Sequence, residues 1–391
     1  MGLKKILLSP PHLGGQEKKY VDEAFSSNWI APIGPNVDGF EQDIAQFSGG
    51  GYVAALSSGT AAIHLSLVLL GIKQGDCVIC PTMSFTASAA PIIYLGAEPV
   101  FIDSEAETYN MCPKVCETAI QELITLNKKP KAIIVVHIYG MPAQMADFIR
   151  LSQIYEIPLI EDAAEALGSK YGNLPCGSLG DFGIFSFNGN KIITTGGGGA
   201  LISSNREWIK KARYLAAHAR EQEIHYQHSE IGYNYRLSNI SAGIGRGQME
   251  VLESRIQLRR KNFARYKSFF SQFEGVKMQE EPDGDFYSNC WLITVILDPM
   301  IWPGIEIKDL ISAMDEADIE TRPLWKPLHM QPVYEQAMYY GNDVAESLFY
   351  RGICLPSGSN LLEEDFQRIF GVFIKVLGHS MVQVKMKALG S

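Results

Sequence analysis

The chain has 391 residues, enough for roughly two or three domains and a large buried core. With 46% hydrophobic and 20% charged residues it has the composition of an ordinary globular protein, and its net charge of −9 argues against a nucleic-acid or anionic-membrane partner. A phosphorylated small molecule stays open as a ligand, because a few local cations and helix ends suffice to bind one.

No apolar run approaches the length of about 18 residues that a membrane-spanning helix needs. The opening MGLKKILLSPPH has too short an apolar stretch for a signal-peptide core, and Ile6 stands where myristoylation asks for Ser or Thr. A cytoplasmic location is the expectation. The seven cysteines show no framework spacing. Cys77 and Cys80 form a CxxC, but within GDCVICP they read as core thiols rather than a zinc or redox pair.

In chain order, AALSSGTAAIHLSLVLL runs from a short strand through Ser57, Ser58, Gly59 and Thr60 into a strongly apolar helix. Free N–H groups and the dipole at such a helix start bind anions, although plain capping by Ser or Thr accounts for the same residues. It is not a Walker loop, since no GK[ST] follows. CVICP then reads as a buried strand, and the small-residue loop after it carries Phe85, which either stacks on a planar ring or fills the core. The run 97–103, KAIIVVHIYG and IPLIEDAA lack polar alternation and read as further buried parallel strands. Between them VCETAIQELITLN and MADFIRLSQIYE show helical spacing of apolar residues. This alternation predicts an α/β domain with a mostly parallel sheet.

Glu161 and Asp162 close the strand IPLIED, at the carboxyl end where open α/β sheets place ligands. A half-buried carboxylate there needs a positive partner, such as a protonated pyridine nitrogen, or else serves as a helix cap. Glu165 follows one helical turn later. In GIFSFNGNKIITTGGGGALISS, Lys191 precedes four glycines, 196–199, which permit close backbone approach. That segment is either a hairpin with a solvated lysine or the seat of a lysine nucleophile, and its neighbours decide. From about residue 240 one long helix, or two end to end, leads into a strand WLITVIL, a helix IKDLISAMDEA and a helical C-terminus from about Glu363. The expected division is a large α/β domain with an N-terminal arm, 1–245, and a smaller α+β domain, 246–391. One lysine, one acid, one phosphate-binding helix start and one aromatic, all at strand ends of one sheet, are the set a pyridoxal phosphate site requires.

These residues resemble the sugar-nucleotide aminotransferases of the DegT/DnrJ/EryC1/StrS family. The resemblance extends from FEQDIAQFSGG through SSGTAAIHL, EDAAEALGS and FSFNGNKIITTGGGG to GYNYRLSNISAGIGRGQ and TRPLWKPLHMQ. It implies the fold type I aminotransferase scaffold, with a sheet of the seven-stranded type and pyridoxal 5'-phosphate as cofactor. Lys191 is then the residue that carries the cofactor and shuttles the proton, and Asp162 the partner of the pyridine nitrogen. Gly59, Thr60, Ala61 and Ser186 hold the phosphate, and Phe85 stacks on the ring. Asn234 reaches the cofactor phosphate of a neighbouring subunit, so a homodimer with shared sites is implied. Glu165 falls where many relatives carry Gln or His, and GGGG where many have GEGG. LSPPHLGG, NWIAPIG, NGNKIITT, YNYRLSN, ETRPLWKPLH and ICLPSGS resemble the aminotransferases of the bacillosamine pathway, implying a UDP-linked 4-keto-6-deoxy-N-acetylglucosamine acceptor and an L-glutamate donor. A GDP-perosamine-type sugar, the 4-epimer or a 3-keto sugar are the alternatives, with a non-catalytic regulatory relative more distant. Trp29 at the base, Arg236 at the diphosphate and His329 near the sugar are the expected substrate contacts; for His329 a loop-capping role is equally open.

Overall fold

The computed structural model describes residues 4–389. Its larger sheet has eight strands, β1 (Tyr52–Leu56), β2 (Cys77–Pro81), β3 (Glu98–Ile102), β4 (Ala132–Val136), β5 (Leu159–Asp162), β6 (Phe182–Ser186), β7 (Gly199–Ser203) and β8 (Met338–Tyr340). Their spatial order is β1-β7-β6-β5-β4-β2-β3-β8. Only β7 opposes the rest, pairing antiparallel with both β1 and β6. The strand-and-helix alternation read from the sequence thus gives an α/β layer with a mostly parallel sheet. The eighth strand departs from the seven-stranded expectation. It is a three-residue run, MYY, from far along the chain, too short to carry a periodic signal, and it pairs parallel with β3.

Both sheet faces are covered, which is why its strands read as unbroken apolar runs. Val78 and Cys80 pack on the face that also buries Ala54, Leu56 and the helix Gly59–Leu69. Cys77 and Ile79 pack on the other face, beneath the helices Pro113–Thr125 and Met145–Tyr155. The two cysteines of the CxxC therefore point to opposite sides of β2. In the helix Gly59–Leu69, Ile63, Leu65 and Leu67 are each 2% exposed or less. Each such side chain contributes roughly 1.5–3 kcal/mol, and together they fix where this helix begins.

Beyond β7 the helical run divides in two, Asn239–Met249 and Leu252–Phe270, with the break at Glu250 and Val251. A four-stranded sheet follows, built from Val276–Met278, Ile293–Leu297, Gly352–Leu355 and Arg322–Pro323. Its core joins Tyr266, Phe269 and Phe270 to Val295, Leu310 and Phe373. The N-terminal segment is a strap between the two sheets. Ile6 exchanges backbone bonds with Asp318 and Glu320, and the Leu8 carbonyl accepts from Ser357 N–H. Ser9 Oγ donates to the Asn190 carbonyl at 2.7 Å.

The four glycines do differing work. Gly196 and Gly197 have φ of +81° and +159°, and Gly199 passes directly against the start of the helix Gly59–Leu69. A Cβ on Gly199 would collide with the backbone nitrogen of Gly59 and the carbonyl carbon of Ser58. Gly199→Ala is expected to cost at least 1–3 kcal/mol, roughly, measured as a lower urea midpoint. An unchanged midpoint would show that the helix start can retreat.

Candidate active site

The carboxyl ends of the parallel strands converge on one cavity of about 370 Å³, within the range of small-ligand pockets. Residues singled out from the sequence line it, among them Gly59, Thr60, Phe85, Asp162, Glu165, Ser186 and Lys191.

Lys191 sits in the loop between β6 and β7. That loop is the hairpin the sequence allowed, closed by Phe187 N–H on Gly198 O and Thr195 N–H on Phe187 O. Its lysine is not solvated: the side chain is 12% exposed. The amine lies 3.3 Å from Glu165 Oε1 and 4.0 Å from the centroid of the Trp291 ring. Glu165 Oε2 accepts from the Tyr139 backbone N–H at 2.7 Å. Tyr139 holds φ +59°, a left-handed conformation rare for a bulky residue, and its hydroxyl accepts from Trp325 N–H. Burial pushes the Glu165 carboxyl above the usual carboxylate range, against the opposing pull of Lys191 and of the Tyr139 N–H.

Asp162 ends β5, 5% exposed. It accepts from Ser88 Oγ at 2.7 Å and from Ala164 N–H at 3.2 Å, and no cation of the described residues pairs with it. Ser88 is in turn bonded to Ser84. A buried carboxylate met only by neutral donors suits a cationic ring nitrogen. The neighbouring acid, Glu161, points away from the cavity. It accepts from the N–H groups of Gly177, Leu179 and Gly180 and from His137 Nε2, holding the loop before β6.

At the helix Gly59–Leu69, Ser58 Oγ caps Ala61 N–H at 3.0 Å, and the Ser58 carbonyl takes Ala62 N–H. Capping and anion binding are therefore both built in. The N–H groups of Gly59 and Thr60 find no acceptor among the described residues, nor do the hydroxyls of Ser57, Thr60 and Ser186. That cluster of free donors fits a phosphate. Ala61 lies outside the cavity, its N–H committed to the cap.

Phe85 is 53% exposed at the cavity mouth, its ring 5.7 Å from that of Trp325. It is therefore not core filling. Trp29 and Arg236 are not at this cavity but line a second one of about 410 Å³ with Glu41 and Arg213. Asn234 is exposed, and its side chain makes no hydrogen bond among the described residues. His329 stands apart from both cavities, its Nδ1 2.6 Å from Thr82 Oγ1 and its ring stacked on Tyr339. Sequence reasoning missed Ser88, Tyr139, Trp291 and Trp325. Tyr139 lies in the quoted KAIIVVHIYG, Ser88 in the small-residue loop after CVICP and Trp325 in ETRPLWKPLH, but none of these stretches gave the residue a role.

A family profile described as the DegT/DnrJ/EryC1/StrS aminotransferase family matches residues 11–373. Over 388 residues the chain is 50% identical to the putative pyridoxal phosphate-dependent aminotransferase EpsN of Bacillus subtilis (strain 168), covering 98% of each. It is 36% identical to a GDP-perosamine synthase of Escherichia coli O157:H7, over 93% of this chain and 96% of that one. Among solved structures, the PLP form of the putative sugar aminotransferase Spr1654 from Streptococcus pneumoniae matches with a TM-score of 0.86 at 27% identity, over 95% of this chain and 98% of that one.

The raised carboxyl of Glu165 has a measurable sign. The folded chain binds that proton more tightly than the unfolded chain, so stability falls as pH rises from the unfolded value of about 4.3 through the folded one. Glu165→Gln stays neutral. Its melting temperature relative to the unaltered cofactor-free chain is expected to climb over the range in which pH rises above about 4.3. A difference that stays flat over that range would mean Lys191 cancels the burial cost.

Proposed function

The chain belongs to the DegT/DnrJ/EryC1/StrS aminotransferase family, and from that premise we propose that it moves the amino group of L-glutamate to C4 of UDP-2-acetamido-2,6-dideoxy-4-keto-hexose, giving a UDP-4-amino-4,6-dideoxy-N-acetylglucosamine. It is a transaminase of nucleotide-sugar chemistry and uses pyridoxal phosphate. When bound, that cofactor supplies the electron sink for the carbon that loses or gains the amino group.

The chain's own residues supply the rest. Free donors at Gly59, Thr60 and Ser186 would hold the phosphate, and Asp162 would keep a proton on the ring nitrogen. Lys191 Nζ is the base that takes the donor's α-proton and later returns a proton to the sugar carbon. One group serving both directions follows from microscopic reversibility.

The observation that carries the substrate reading is a third, larger chamber. It has about 650 Å³ and shares Ser84, Phe85, Asn190, Trp291 and Trp325 with the Lys191 cavity. Its wall includes Arg322 and Lys326, cations suited to a diphosphate. The stretches NGNKIITT, YNYRLSN and ETRPLWKPLH support the UDP-linked 4-keto sugar. The perosamine synthase relative favours a GDP-linked sugar as the second reading.

A homodimer belongs to the same proposal. The Asn234 side chain makes no hydrogen bond among the described residues, and Ile224, Tyr226 and Ile231 are 77% exposed or more in the segment before it. In the dimer, Asn234 and Arg236 would face the partner's site.

Incubation with pyridoxal phosphate, L-glutamate and the UDP-4-keto sugar, followed by mass spectrometry, is expected to convert ketone to amine, and Lys191→Ala to abolish the conversion. Conversion of GDP-4-keto-6-deoxymannose in place of the UDP sugar would select the second reading. Lys326→Ala is expected to raise KM for the nucleotide sugar about tenfold and to leave the glutamate half-reaction unchanged. Equal loss in both halves would remove Lys326 from the diphosphate.

A further inference from the structure

The free amine of Lys191 needs a fixed position whenever it is not bonded to the cofactor, and one residue from a distant part of the chain supplies a surface for it. Trp291 is 1% exposed, and Lys191 Nζ stands 4.0 Å over its ring. An ammonium over an indole face is attracted by the ring's quadrupole, most strongly where water is excluded.

The ring is fixed from every side. Its Nε1 donates to the Asn190 carbonyl at 2.8 Å, the peptide immediately before Lys191. Ser9 Oγ donates to that same carbonyl. Arg259, 1% exposed and without a carboxylate partner among the described residues, grips both: Nη1 donates to the Trp291 carbonyl at 2.6 Å and Nη2 to Ser9 Oγ at 2.9 Å. The bonds close a circuit around the residue before the lysine.

The backbone presenting the indole is equally constrained. Cys290 has φ +52°, and Trp291 N–H donates to Asn289 Oδ1. The Asn289 side-chain amide donates to the carbonyls of Glu165 and Leu167. Asn289 thus sets the spacing between the two groups that flank the lysine amine, the Glu165 carboxyl and the Trp291 face.

We propose that Trp291 is a positioning residue for Lys191, its indole face being the seat on which the lysine amine rests while the cofactor carries the amino group. The proposal rests on Lys191 being the cofactor lysine. Its reach is mechanical: a flexible four-carbon side chain would otherwise spread over several rotamers, and only some put the amine near the reacting carbon.

The test uses the full-length holoenzyme labelled with [6-13C]lysine and converted by L-glutamate to its aminated form, in which Lys191 is free. The Lys191 ε-proton resonance, identified by its absence in Lys191→Arg, is expected well upfield of the other lysines because of the indole ring current. Found at the ordinary lysine position in the unaltered protein, it would overturn the seat without recourse to any further variant. Stopped-flow measurement of the glutamate half-reaction gives the second readout. Trp291→Leu is expected to slow it about tenfold at saturating glutamate, with the half-saturating concentration changed less than about twofold. Trp291→Phe, which keeps an aromatic face, is expected to stay within about threefold. Equal slowing in the two variants would mean lost packing and would overturn the proposal. Should Lys191→Arg still react with glutamate at the unaltered rate, the assignment of Lys191 itself fails, a result distinct from either of these.

Discussion

Burying the Lys191 side chain to 12% exposure strips most of the water from its amine, and the fold replaces that water with a carboxylate at 3.3 Å and an indole face at 4.0 Å. Everything else around the cavity follows from holding those two groups in place. Glu165 is fixed at its carboxyl by Tyr139 N–H and at its backbone by Asn289; Trp291 is fixed by Asn289, Asn190 and Arg259. Left-handed Tyr139 and Cys290 are the local strain that such fixing entails.

Two acids three residues apart, Asp162 at the end of β5 and Glu165 in the turns that follow it, are held in differing ways, and the difference assigns their work. Asp162 is met by a hydroxyl and an N–H, and no cation among the described residues pairs with it, so it is open to a cationic ring nitrogen. Glu165 faces the lysine amine directly, and its burial favours the proton. The third acid of the stretch, Glu161, spends all its capacity on backbone donors and His137. Ala143 N–H donates to His137 Nδ1, which leaves the ring proton on Nε2, aimed at Glu161. One strand end thus has one acid for structure and one for chemistry, on alternate faces as the pleat requires.

Much of this was legible in the sequence. Unbroken apolar runs gave the parallel strands, and with them the edge where Asp162, Phe85, Ser186 and the helix start at Gly59 had to meet. Lys191 became convincing only beside them. What escaped was everything delivered from a distance. Asn289 and Trp291 lie about a hundred residues beyond Lys191, Asn289 in a stretch with no period and Trp291 at the head of WLITVIL, where nothing but a strand could be read, and Arg259 lies inside the long helical run with no motif around it. Asn234, Trp29 and Arg236 could be placed only by resemblance, and within a single chain they stand away from the lysine. For His329 the sequence left a sugar contact and a loop-capping role equally open, and the fold sets its ring against Thr82 and Tyr339.

The strap has a consequence for the order in which the molecule can be completed. Residues 6–9 leave the ribosome well before their partners Asp318, Glu320 and Ser357 have been made. The parallel sheet can assemble while synthesis continues, but the Ser9 contact to Asn190 forms part of a circuit whose other members, Arg259, Trp291 and Ser357, emerge much later. The lysine therefore gains its rigid surroundings only once the chain has been made as far as Ser357, long after Lys191 itself and the strands β5, β6 and β7 beside it.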